Sequence, residues 1–314
     1  MELQKFTDYR DRVVSAVSQA IVGKTEEIEK VLICFVCGGH VLLEDVPGTG
    51  KTMLLRAFAR AIGGSFSRVQ FTPDLQPSDL TGINFYNQKE GEFRFRPGPL
   101  FHDVVLADEV NRATPRTQAA LLEAMEERQI TVDGETRPLG ARFLVMATQN
   151  PLESYGTFPL PEAQVDRFFI RLALGYMERA QELEVLRRRD TVDIISEIQP
   201  AVTDGDTAWV RANYRNVLVS DEVAGYLMDL VEATRRGGFP CGVSTRGAIA
   251  LFKAVQASAA LSGRDYALPE DIRRMAPSVL AHRIAAGAGL KRADAEARLI
   301  QLIDRIPVPV EPLP

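Results

Sequence analysis

Short apolar runs alternate with amphipathic stretches through the first half of the chain, and the alternation stops near residue 178. His40-Val41-Leu42-Leu43, Val104-Val105-Leu106-Ala107, Phe143-Leu144-Val145-Met146-Ala147 and Phe168-Phe169-Ile170-Arg171-Leu172 read as strands, with Ser67-Arg68-Val69-Gln70-Phe71 as a more polar fifth. Stretches with helical periodicity, 51–62 and 115–128, lie between them. Continuous apolar strands separated by helices predict an α/β fold, a parallel sheet covered on both faces. Two polar hairpins break the rhythm. One pairs Asn84-Phe85-Tyr86 with Glu92-Phe93-Arg94-Phe95 and turns at Lys89-Glu90-Gly91. The other turns at Asp133-Gly134, a favoured two-residue turn.

Beyond residue 178 only the 3.6-residue period persists, over 178–189, 206–217, 221–236, 246–261, 269–284 and 291–305. Ser220 is placed to cap the helix at 221, Ser244 or Thr245 the helix at 246, and Gly237-Gly238 to stop the one between. The pattern divides the chain into an α/β domain over 1–177, a connecting helix and linker over 178–205, and an all-helical domain over 206–314.

Composition narrows the functional classes. The 314 residues are 46% hydrophobic and 25% charged, as in an ordinary globular protein, and the net charge of −5 gives nucleic acid no basic field to bind. No apolar run approaches the roughly 20 residues of a membrane helix, and the start has no secretory segment. Three cysteines make no disulfide framework, so a cytoplasmic protein is expected. Cys34 and Cys37 have C-x-x-C spacing but fall in an apolar stretch that reads as a buried helix. His40, His102 and His282 lack the spacing of metal ligands.

Chemistry concentrates after the first strand, in Glu44-Asp45-Val46-Pro47-Gly48-Thr49-Gly50-Lys51-Thr52, which runs into a helix beginning at Met53. Glycines let successive N–H groups turn inward to cradle phosphate, and the helix start aims its positive dipole end at the same anion. Lys51 reaches the β- and γ-phosphates and Thr52 binds Mg²⁺, with ATP as the nucleotide. This is a Walker A loop in which Asp45 stands where the strict pattern has glycine. Asp108-Glu109 closes the strand Val104-Val105-Leu106-Ala107 as a Walker B element: Asp108 for Mg²⁺, Glu109 to polarise the attacking water. Asn150, in Met146-Ala147-Thr148-Gln149-Asn150-Pro151, ends the next strand, where a neutral amide can orient that water or touch the γ-phosphate. Arg167, after a short helix, is the candidate finger for a neighbouring subunit's nucleotide, and Arg246, opening a later helix, the candidate cis contact from the helical domain.

In this order the motifs resemble the MoxR family of AAA+ ATPases over nearly the whole chain. The resemblance is carried by Leu43 through Thr52, Pro77-Ser78-Asp79-Leu80-Thr81-Gly82, Phe95-Arg96-Pro97-Gly98-Pro99-Leu100-Phe101 and Leu106 through Pro115. It continues in Leu121-Leu122-Glu123-Ala124-Met125-Glu126-Glu127-Arg128, Ala147 through Pro151, and Gly156 through Phe168. Asp45 is normal for that family; Phe158, where the family often has tyrosine, touches no catalytic role. The resemblance implies a three-layer core with a five-stranded sheet and a small helical lid, with ATP held between them. It implies that Val22 and Gly23 pack near adenine, and that Pro47, Gly48, Thr49, Gly50, Lys51, Thr52 and Met53 contact the nucleotide. It implies a ring, usually hexameric, with Arg167 reaching the neighbour and Arg246 as the lid's sensor. The two hairpins become inserts on the ring's axial side. The implied work is chaperone-like maturation of client enzymes, commonly with a separate partner carrying a von Willebrand factor A domain.

Two other readings share parts of this pattern. A magnesium-chelatase-type motor subunit has the same core and inserts, but the wording of 147–151 and 156–168 favours MoxR. A nucleic-acid motor calls for basic, aromatic-bearing loops, and Phe93-Arg94-Phe95-Arg96 is the one short candidate in an acidic chain.

Overall fold

The computed structural model describes residues 1–45, 48–149, 156–187, 191–236, 238–284 and 292–309. Two helices, α1 (Leu3–Ser18) and α2 (Thr25–Val36), precede the first strand, β1 (Val41–Glu44). There follow α3 (Lys51–Ala61), β2 (Phe66–Gln70), α4 (Pro77–Thr81), the hairpin β3 (Gly82–Asn87) and β4 (Glu92–Pro97), and β5 (Val104–Asp108). Next come α5 (Pro115–Glu127), the hairpin β6 (Gln129–Val132) and β7 (Glu135–Pro138), β8 (Leu144–Gln149), α6 (Glu162–Val165) and β9 (Ile170–Leu172). The rest of the described chain is helical: α7 (Arg179–Arg187), α8 (Thr191–Glu197), α9 (Asp204–Asn213), α10 (Asp221–Arg236), α11 (Thr245–Leu261), α12 (Pro269–Ile284) and α13 (Arg292–Arg305).

The sheet runs β2-β5-β8-β1-β9, every pair parallel. Its period-two alternation feeds two cores. Val41, Leu43, Val104, Leu106, Leu144 and Met146 face α1, α2 and α3, while Leu42, Val105, Ala107, Val145 and Ala147 face α5. This double burial is why the central strands carry no polar face. β2 is an edge strand, and its exposed positions admit Arg68 and Gln70.

The helical half is not a separate body of apolar contacts. Leu251, Val255, Met275, Val279 and Leu280 belong to the same core as α1 and α2. Arg171 of β9 adds a polar tie, bonding Glu44 of β1 at 2.7 Å and Glu296 of α13 at 3.0 Å. The second hairpin turns through Asp133 (φ 50°) and Gly134 (φ 83°), the paired left-handed conformation that Asp-Gly favours. α8 lies in the stretch expected to be linker; Ile195 and the following Ile198 are buried in the main core and hold it as a helix.

Candidate active site

The phosphate loop is positioned by the C-terminal edge of the sheet. β1 ends at Glu44, the chain turns through Gly48 (φ 85°) and Gly50 (φ 87°), and Lys51 begins α3. A side chain at either glycine meets no neighbouring atom within 4 Å, so backbone conformation, not crowding, demands glycine. α3 points its N-terminus into a cleft of about 470 Å³ lined by Gly48 through Met53, with Asp108, Glu109 and Thr148 across from it. The Lys51 ammonium donates to the Asp45 carbonyl at 3.1 Å. Pro47 and Asn150, both expected at this site, lie outside the described residues.

Asp45, the departure from the strict loop pattern, has a structural task. One carboxylate oxygen accepts from the main-chain N–H groups of Leu174 and Gly175, at 2.8 and 3.0 Å. The loop is thereby fastened to the chain leaving β9. Glycine could not do this. Val22 and Gly23 border the same junction without lining the cleft: Gly23 packs against the Gln181 side chain of α7, and Lys24 donates to the carbonyls of Leu174 and Tyr176.

The carboxylate pair sits at the end of β5 in a connected network. Thr148, on the neighbouring β8, donates to Asp108 Oδ1 at 2.6 Å and accepts from the Glu109 amide at 2.8 Å. Arg68 Nη2 reaches Asp108 Oδ2 at 2.6 Å. Gln70 and Arg112 both donate to Glu109 Oε2, at 2.7 and 2.8 Å. Glu109 holds left-handed backbone (φ 56°, ψ 51°), a conformation that costs a non-glycine residue on the order of 1 kcal/mol and turns its side chain off the strand line. Arg68, Gln70, Arg112 and Thr148 escaped the sequence reading. The signal for the first two was present: polar residues two apart on a strand point to one face.

The two arginines occupy the other edge of the sheet. Arg167 Nε and Arg246 Nη2 converge on one carboxylate, Glu126 at the end of α5, at 3.1 and 2.6 Å. They line a hollow of about 440 Å³ with His40 and Phe169, the residues just before β1 and β9. The phosphate loop begins just after β1, so the strand's length, roughly 15 Å, separates loop from arginines. Arg246, expected as a cis contact, lies against Glu126 and outside the described lining of the nucleotide cleft. Ser244 caps α11 by accepting from the Gly247 amide at 3.1 Å and donates to Asp166 at 3.1 Å, which pins the start of that helix beside Arg167. The described residues lining the nucleotide cleft all belong to the α/β half.

The donor set fits a magnesium nucleotide. Asp108 already receives a cationic group from Arg68, Thr52 opens onto the same cleft, and Lys51 with the α3 terminus supplies positive charge for phosphate. Among the described residues no cluster of His, Cys, Asp and Glu forms another metal site. No helix among them is long and apolar enough to cross a membrane.

A phosphate loop after the first strand, a carboxylate pair ending β5 at the same edge and an all-parallel sheet in this order define an AAA+ ATPase. A family model described as "ATPase family associated with various cellular activities (AAA)" matches residues 40–170, and one for an AAA lid domain matches 238–302. The chain is 46% identical over 303 residues to an uncharacterized protein, YeaC, of Bacillus subtilis (strain 168), spanning 96% of this chain and 95% of that one. It is 38% identical over 284 residues to the chaperone MoxR1 of Mycobacterium tuberculosis, spanning 87% and 75%. The crystal structure of a protein from Cytophaga hutchinsonii superposes with a TM-score of 0.86 at 41% identity, over 96% of each chain. The chain belongs to the MoxR family of AAA+ ATPases.

Proposed function

We propose that the protein hydrolyses ATP at the seam between two copies of itself in a ring, hexameric by the family resemblance, with Arg167 and Arg246 both supplied in trans. The single observation that carries this reading is the split of the site: phosphate loop and carboxylates at one edge of the sheet, both arginines at the other. A lone subunit cannot fold its own guanidiniums back onto its own nucleotide across that span. The phosphate-loop amides and Lys51 would hold the triphosphate. Thr52 and Asp108 would hold Mg²⁺, which supplies charge neutralisation for the phosphate oxygens when bound. Glu109 would orient the water and take its proton, and Asn150 would align it. Val22 and Gly23 are assigned to the adenine side, and Pro47, Gly48, Thr49, Gly50 and Met53 to the loop's remaining contacts. Residues 1–177 are taken as the core, 178–205 as the connection and 206–314 as the lid.

The work done with that energy is read as chaperone-like activation of client proteins in the cytoplasm, with a separate von Willebrand factor A domain partner. The MoxR1 relative is named a chaperone, which supports this reading. The decisive experiment mixes two variants that are each inactive alone. Lys51→Ala subunits cannot hold nucleotide but keep their arginines; Arg167→Ala subunits keep the cleft. Mixed rings should regain turnover at seams that join an intact cleft to an intact arginine. No recovery in rings shown to contain both would refute action in trans.

A further inference from the structure

We infer that Arg283, in the helical half, is a positioning residue for Arg167, fixing where the finger is presented to the neighbouring subunit; this rests on the trans reading above. Arg283 lies on α12, and its side chain is 3% exposed. Its guanidinium straddles the finger. Nε donates to Asp166 Oδ1 at 2.7 Å and Nη2 to the Asp166 carbonyl at 3.2 Å, on one side of Arg167. On the other side Nη2 donates to the Phe168 carbonyl at 2.7 Å and Nη1 to the Phe169 carbonyl at 3.3 Å. His282 adds a ring-nitrogen contact to the Phe168 carbonyl at 3.1 Å. The second Asp166 oxygen accepts from Ser244, the cap of the helix that carries Arg246. One ion pair, buried on the Arg283 side and partly exposed at Asp166, therefore sets both arginines that meet at Glu126.

Stability alone does not account for such a pair. Burying the Arg283 charge has a desolvation cost that its attraction to a partly exposed carboxylate must repay, and an apolar replacement of similar volume is often as stable. A planar fork with several fixed donors does what an apolar contact cannot: it holds the backbone on both sides of one residue in a single geometry. Arg167 itself stays one-third exposed, with its Nε on the equally exposed Glu126 at 3.1 Å. The helical half is thus bonded to the finger segment rather than to its own nucleotide, so displacement of α12 moves the group offered to the next subunit.

The test uses the full chain in three variants: Arg283→Met, which keeps bulk; Arg283→Lys, which keeps charge but not the fork; and Asp166→Asn. Arg283→Met should bind a fluorescent ATP analogue with wild-type affinity and show an unchanged KM. Its kcat should fall by about 10²-fold, the effect of roughly 1 Å of misplacement, with Arg283→Lys intermediate. Mixed with Lys51→Ala subunits it should regain turnover, because its cleft is intact and its defect is only as a donor. Wild-type kcat in Arg283→Met overturns the proposal. So does a loss that Lys51→Ala subunits cannot repair while they do repair Arg167→Ala. If Arg283→Met does not fold, Asp166→Asn is read by the same two criteria. Failure of the Arg167→Ala mixture itself would instead remove the trans reading, and the positioning role with it.

Discussion

Glu109 is placed by its backbone before any ligand arrives. Its left-handed conformation and the two donors on Oε2, Gln70 and Arg112, fix the carboxylate at the cleft. Glu109→Gln keeps the shape and most of these contacts but cannot accept the proton of the attacking water. Turnover should drop by roughly 10²–10⁴-fold while ATP binding persists, measured by single-turnover hydrolysis beside equilibrium binding. Normal turnover would take the role away from Glu109. His40 illustrates the opposite fate of a titratable group. Its Nδ1 accepts from the Val145 amide at 2.9 Å and its Nε2 bonds the Met125 carbonyl at 3.1 Å, so the neutral ring bridges β8 and α5. Burial foremost, then the Arg128 charge, push its pKa from 6.5 down to about 3. The folded state therefore disfavours the proton that the unfolded state accepts. This contribution to stability is complete above about pH 6.5 and is lost as pH falls towards 3, at up to about 1.4 kcal/mol per pH unit. Unfolding free energies from denaturant titrations between pH 7 and 4 should decline towards that slope, and less steeply in His40→Gln.

Loop and strand together explain why the Walker A departure belongs to this protein. Asp45→Gly restores the strict pattern, and a pattern-based view predicts an unchanged or improved loop. The structure predicts the reverse, because two charge-assisted bonds to the exit of β9 are lost, each worth about 1.5–3 kcal/mol. Nucleotide affinity and melting temperature should both fall; tighter binding by calorimetry would show the tie to be dispensable. At this scale the sequence was legible where burial repeats along a chain segment. Central strands buried on both faces announce themselves as unbroken apolar runs, and Asp133-Gly134 as a left-handed turn. α4, of five residues, and α8, of seven, were not legible, because one or two turns offer too little periodicity to rise above a polar linker. Arg283 is invisible for another reason: in sequence a buried arginine looks like any surface one, and only the fold brings Asp166 to it. The same holds for Arg246, whose motif is plain but whose location depends on how α11 packs against α1, α2 and α12.

At the scale of the molecule, the two edges of the sheet carry matching needs. Beside Arg246, α11 exposes Ile249 and Phe252, 51% and 36% accessible. Near the nucleotide cleft, α7 buries none of its residues and exposes Leu183 and Leu186, with Tyr176 just ahead of it. Its position there is fixed through Gln181 on Gly23 and through the junction that Asp45 fastens. Two different apolar patches on opposite sides of one subunit suit a head-to-tail contact, the kind that closes into rings. If the arginines of one copy reach the cleft of the next, Ile249 and Phe252 must approach α7 of that neighbour. Replacing both with serine, with folding checked by circular dichroism, removes apolar area worth about 1–2 kcal/mol each on burial. Self-association with nucleotide should weaken by roughly tenfold or more in sedimentation experiments. Turnover per subunit should become steeply dependent on protein concentration and recover at high concentration, because the active site is intact and only its assembly is impaired. Unchanged assembly in the double variant would mean that the subunits meet through some other face.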